Sequence, residues 1–125
     1  MIWFQRRTPR SQSVTFTETV PVVWDLYLTE TNNEIPDSWR LVFVSGDVCS
    51  PTLALRSVRG SPHCKFWNTY GPTEVTVTSH GFVVECAADG TPNFGQSVPI
   101  GGAVGNTTGY ILDCHNMPVP IGVPG

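Results

Sequence analysis

The apolar positions change period several times along the chain, and each change marks an element. VTFTETVP (14–21) is β-branched and aromatic and predicts a short strand. PVVWDLYLTETNN follows, with Val22, Val23, Leu26 and Tyr27 on one face at helical spacing and Pro21 suited to a first turn. RLVFVSG (40–46) is a continuous apolar run ending in glycine, the pattern of a strand buried on both faces. SPTLALRSVRG (50–60) opens on Ser-Pro and closes on glycine, so it carries the start and stop signals of a helix. CKFWNTYG (64–71) is a third strand running into a turn. EVTVTSHGFVVE (74–85) alternates and predicts a strand pair, or one strand bent at Gly81.

From residue 14 to 70 the order is strand, helix, strand, helix, strand. Helical crossovers of this length join parallel strands, so the expected class is α/β, part of a parallel sheet with flanking helices. In open parallel sheets ligands sit beyond the carboxyl ends of the strands. SGD (45–47) and NTYGPTE (68–74) fall at such ends. From Gly90 to Gly125, 13 of 36 residues are Gly or Pro, which predicts turns and irregular backbone packed against the sheet or another part of the protein. GYILDC (109–114) is the one expected strand there. Residues 1–13 have no clear period and read as an irregular leader to a unit spanning 14–125.

Composition narrows the function. Charged residues are 14% of 125, against ~25% in a typical soluble domain, so part of the surface is expected to be covered. The net charge of −3, with basic residues grouped only at Arg6, Arg7 and Arg10, argues against nucleic acid as a partner. No apolar run approaches the ~18 residues of a membrane span. Cys49, Cys64, Cys86 and Cys114 form no CxxC pair and lack the spacing of a zinc site. They read as reduced, buried thiols of a cytoplasmic protein.

NTYGPTE carries the candidate chemistry. Tyr70 offers a flat face to a base, Asn68 an amide to a base edge, and Gly71-Pro72 a tight turn. Thr73 offers a hydroxyl to a phosphate oxygen and Glu74 a carboxylate to Mg²⁺. The same letters also describe a plain β-turn with Tyr70 in the core and Glu74 in solvent.

The stretch resembles the Asn-x-Tyr-Gly-Pro-Thr-Glu motif of adenylate-forming enzymes, in particular the amino-acid adenylation domains of non-ribosomal peptide synthetases. VTFTETVP is similar to the strand before that family's Thr-Pro-Ser turn, and VSGD (44–47) stands where Gly-Gly-Glu is usual. PIGGAVGNTTGYILD (99–113) and PVPIGVPG (118–125) resemble two later motifs in order. The resemblance implies a fragment of the large subdomain. It implies ATP and Mg²⁺ as ligands, a carboxylic or amino acid as substrate, and a partner carrier domain bearing phosphopantetheine. It assigns Asn68, Thr69, Tyr70, Gly71 and Thr73 to the nucleotide and Glu74 to Mg²⁺. It assigns Glu18, Phe43, Ser45, Thr69, Val77 and Thr78 to the acid pocket.

The sequence also departs from the family. Ser45 and Asp47 replace Gly and Glu, and Ala103 replaces Pro. The Gly/Ser/Thr-rich phosphate loop with its Lys, the Phe-Asp-x-Ser segment, the ribose-binding Tyr-Arg-Thr-Gly-Asp and the lid with the catalytic Lys do not occur in these residues. The chain by itself is therefore expected to be catalytically incomplete, because positioning effects need all groups placed together. An acyl-CoA ligase or carboxylate reductase fragment, and a non-enzymatic α/β binding module, are the alternative readings.

Overall fold

The computed structural model describes residues 15–124, so the 1–13 segment lies outside the described residues. Strand β1 is Phe16–Thr19, helix α1 Pro21–Glu30, β2 Leu41–Val44, α2 Pro51–Gly60, β3 Lys65–Tyr70, β4 His80–Val84 and β5 Gly102–Ala103. A 3-10 turn covers Thr73–Val75. The sheet is five-stranded in the order β1-β2-β3-β4-β5. β1, β2 and β3 run parallel, as two helical crossovers require, and β4 and β5 add antiparallel.

The core fills the face of the sheet that carries Val42, Val44, Phe66 and Val84, together with Trp24 and Leu28 of α1 and Leu53 and Ala54 of α2. Trp24 is its hub. Its ring stacks on Tyr27, Trp39 and Phe66, and its Nε1 donates to Ser57 Oγ of α2 at 2.8 Å. Ser57 in turn donates to the Leu53 carbonyl at 2.8 Å, so the buried pair is satisfied. This hub turns α1 away from the expected face. Pro21, Trp24 and Leu28 are buried, whereas Val22 is 72% and Leu26 53% exposed. A helix apolar on all sides has no periodic signal to choose its face; the indole, with its large area and its one donor, chooses it.

In α2 the N-terminal cap behaves as read, whereas Gly60 is the last helical residue and Ser61 the C-cap. Ser50 accepts from Leu53 N at 3.1 Å and Pro51 occupies the first turn. β2 follows the expected strand but is fully buried on one face only, with Leu41 and Phe43 half-buried.

Two expected strands did not form as read. In 74–85 only His80–Val84 is a strand. Thr76 and Val77 sit at φ 58° and 74°, a left-handed pair that ends any alternation before it starts. GYILDC makes a single bridge, Leu112 to Pro118, around a turn in which Asp113 Oδ1 accepts from the His115 and Met117 amides. The antiparallel ladder instead extends through Gly102–Ala103. Gly101 makes this possible: a Cβ there would lie 1.9 Å from the Gly81 carbonyl oxygen, so only glycine lets the segment approach β4. The glycine- and proline-rich stretch does lie against the sheet, with Phe94 and Val98 packed on the core.

All four cysteines are free, but only Cys49 and Cys64 are buried. Cys86 is half-buried and Cys114 exposed, since Cys114 sits in the irregular turn rather than in a strand. Among the described residues no helix is long and apolar enough to cross a membrane.

Candidate functional site

Strand alternation divides the candidate residues between two faces of β3. Asn68 and Tyr70 share the face of Phe66. Trp67 and Thr69 share the opposite one, where none of the described helices packs. The sequence places all four in one stretch, but the pleat gives them to two opposite faces of the sheet.

On the first face Tyr70 is 48% exposed, so its ring is not a core residue. Its ring centroid lies 6.4 Å from that of His80 on β4, which leaves ring surface open beyond the strand end. Asn68 is buried, and one of its amide hydrogens goes to the Pro99 carbonyl at 2.8 Å. Gly71 then lets the chain fold back on itself. A Cβ at Gly71 would sit 2.4 Å from the Val77 carbonyl oxygen and 2.7 Å from Thr78 Cα. The loop is closed by Ser79 N and Oγ, which both donate to the Tyr70 carbonyl, at 2.9 and 3.2 Å. Thr73 and Glu74 stand exposed on the 3-10 turn of this closed loop. Holding Thr76 and Val77 at positive φ costs about 1–3 kcal/mol each, a cost that clusters at functional loops.

On the second face a cavity of about 320 Å³ is lined by Phe16, Glu18, Phe43, Trp67, Thr69, Thr78 and Val104. Glu18, Phe43 and Trp67 are paired in register across β1, β2 and β3. Phe43 stands between Phe16 and Trp67, with ring centroids 5.3 and 5.8 Å away. Gly81 makes room for the indole: its missing Cβ would fall 3.0 Å from Trp67 Cε3. Glu18 is exposed and is the one ionisable residue of the lining. Its Oε1 accepts from Ser45 Oγ at 3.5 Å, the long limit of a hydrogen bond. Trp67 Nε1 is buried without a hydrogen-bond partner in the described residues.

Four of the six expected pocket residues, Glu18, Phe43, Thr69 and Thr78, therefore line one cavity. Ser45 stands beside Glu18 without reaching the lining. Val77 is 57% exposed, because the left-handed backbone at 76–77 presents Thr78 to the cavity in its place. Phe16, Trp67 and Val104 escape the sequence reading. Counting by twos from Glu18 and Thr69 would have found Phe16 and Trp67; nothing in the sequence marks Val104.

The loop presents one exposed carboxylate, Glu74, that a divalent cation could take. Among the described residues no group of three or more His, Cys, Asp or Glu could hold a metal by itself, and Glu74 has no ion-pair partner. An unpaired carboxylate on a fixed turn suits Mg²⁺, which usually takes one or two carboxylates and fills its remaining positions with phosphate oxygens and water.

A model of the AMP-binding enzyme family matches residues 6–125, and the chain belongs to that family. Within it, the chain corresponds to a stretch of the adenylation domain of non-ribosomal peptide synthetases. It is 39% identical over 98 residues to tyrocidine synthase 3 of Brevibacillus parabrevis, covering 78% of the chain and 1% of that protein. It is 36% identical over 98 residues to gramicidin S synthase 2 of Brevibacillus brevis, covering 78% of the chain and 2% of the relative. The fold superposes with a TM-score of 0.75 and 29% identity on a non-ribosomal peptide synthetase crystallised with α-methyl-L-serine-AMP bound, over 90% of the chain and 13% of that structure. A protein containing adenylation and PCP domains gives a TM-score of 0.75 at 22% identity, over 89% of the chain and 21% of that structure, a likeness of fold alone. The chain thus spans a small part of each relative it matches.

Proposed function

We propose that this stretch holds the nucleotide and the acid in an ATP-dependent adenylation reaction that activates an amino acid for peptide synthesis. The observation that carries the proposal is the division of β3. One face ends in an open Tyr70 ring that leads into the turn bearing the exposed Glu74, and the other lines an aromatic cavity one residue away.

In this reading Tyr70 stacks on adenine, and Asn68 and the Thr69 backbone meet the base edge. Gly71 keeps the loop closed so that Thr73 reaches the α-phosphate. Glu74 would hold Mg²⁺, and the bound ion would supply positive charge where negative charge builds on the phosphates. The acid lies against Thr69 and Thr78, with its side chain between Phe43 and Trp67. Its carboxylate oxygen attacks the α-phosphorus, and the bond to pyrophosphate breaks. The phosphopantetheine thiol of a carrier domain then takes the acyl group, and AMP leaves. The residues described here bind and orient; the groups that complete the chemistry are the family's phosphate loop and lid. The peptide-synthetase relatives support an amino acid over the fatty or aryl acids of other ligases.

Titrating the purified chain with Mg·ATP in a calorimeter tests this. A saturable change that Glu74→Ala weakens about tenfold is expected, the size of one lost charge-assisted contact. A flat response in the folded protein would sink the nucleotide reading.

A further inference from the structure

The acid cavity has an unusual lining for an apolar guest. Its floor is a row of aromatic rings, Phe16, Phe43 and Trp67, and its one charge is the carboxylate of Glu18 at the end of that row. Glu18 and Phe43 are direct cross-strand partners, as are Phe43 and Trp67, so the carboxylate and the two rings lie along one line on the sheet. Among the described residues Glu18 makes no ion pair, and its one hydrogen bond is the 3.5 Å contact from Ser45. The other polar members, Thr69 and Thr78, are neutral, and Thr69 Oγ1 is already committed to the Val44 carbonyl at 3.3 Å. No described cation stands in the lining to neutralise Glu18.

Aromatic faces attract cations through their quadrupoles, and a carboxylate at the end of the row supplies the ion-pair partner. An apolar side chain in the same cavity would cover Glu18 and gain nothing for its desolvation. We propose that the acid pocket selects an amino acid with a cationic side chain, whose methylene stem lies over Phe43 and Trp67 and whose charged head meets Glu18. This rests on the reading of the cavity as the acid pocket. The volume of about 320 Å³ is at the small end for a ligand site and suits a single extended side chain.

The test compares L-lysine with L-norleucine on the purified chain by ligand-detected NMR, with AMP as a separate probe. Norleucine matches lysine up to the terminal ammonium, so the ratio of affinities isolates the side-chain charge from the α-amino group. A lysine preference of about tenfold is expected, as one charge-assisted contact at a partly open site would give. Glu18→Gln removes the preference and Glu18→Lys reverses it. Phe43→Leu, a core-neutral change on the same row, reduces it several-fold should the Glu18 variants fail to fold. Equal binding of the two amino acids, or tighter binding of norleucine, overturns the inference. Binding of AMP without either amino acid overturns it too, while leaving the nucleotide reading in place. Failure to bind AMP as well as both amino acids removes the parent reading and this inference together.

Discussion

Replacing Gly71 with alanine puts a methyl group where the loop has no room for one. Three backbone atoms would lie within 3 Å of the new Cβ: the Val77 carbonyl oxygen at 2.4 Å, Thr78 Cα at 2.7 Å and the Val77 carbonyl carbon at 2.8 Å. None belongs to a flexible side chain, so relief requires residues 77–78 to move away and the Ser79–Tyr70 contacts to lengthen. Overpacking of this kind costs typically ~1–3 kcal/mol. Alanine would otherwise stabilise by about 0.4–1 kcal/mol through the unfolded chain. With three backbone atoms inside 3 Å the cost lies near the top of that range, so the net expectation is a loss of about 2 kcal/mol, read as a melting temperature lower by roughly 6–10 °C in a domain of this size. Two controls separate the causes. Gly95 has nothing within 4 Å of a new Cβ, so Gly95→Ala should match or exceed wild-type stability. Gly90 also has open space but sits at φ +83°, so Gly90→Ala should cost about 1 kcal/mol from conformation alone. Thermal melts followed by circular dichroism rank the three, and Mg·ATP affinity should fall only for Gly71→Ala, because that loop carries Thr73 and Glu74. Equal stability and equal affinity of the Gly71 and Gly95 variants would refute the account of the closed loop.

The core and the thiols give further expectations. Ser57→Ala strands the buried Trp24 Nε1 and should cost about 1–3 kcal/mol in urea unfolding; a Trp24→Phe, Ser57→Ala pair should cost less than the sum of its singles. A thiol reagent at neutral pH should label Cys114 first and reach Cys49 and Cys64 only on unfolding, which peptide mapping would show. Burial pushes both buried thiols up to about 11, so the unfolded chain gives up its thiol protons first as pH rises. Stability should therefore be level below pH 9 and fall between about pH 9 and 11, as melts across that range would show. Cys49→Ser with Cys64→Ser should flatten that limb.

The parallel core of the fold was legible because its signals are local and agree. Ser50 and Pro51 start α2, and the two crossovers leave β1 to β3 only a parallel arrangement. What was not legible depends on long-range choices. The face of α1 follows from where Trp24 finds Ser57, thirty-three residues away. The fate of 74–79 follows from Gly71 meeting Val77, and that of 99–103 from Gly101 meeting Gly81. The candidate site was half legible for the same reason. NTYGPTE names the loop, but the pleat decides that Asn68 and Tyr70 serve one face while Trp67 and Thr69 serve the other. Glu18 is one of six residues assigned to the pocket in sequence and becomes informative only beside Phe43 and Trp67.

The central claim is that one strand serves a nucleotide on one face and an acid on the other. The most direct measurement is an amide NMR titration of the isotopically labelled chain with Mg·AMP, followed by amino acid. The account predicts that nucleotide shifts concentrate at Asn68–Glu74 and His80, and that later shifts concentrate at Glu18, Phe43, Trp67 and Thr78. Shifts confined to α1 and α2, or Glu18, Phe43 and Thr78 responding to the nucleotide as they do to the acid, would contradict it.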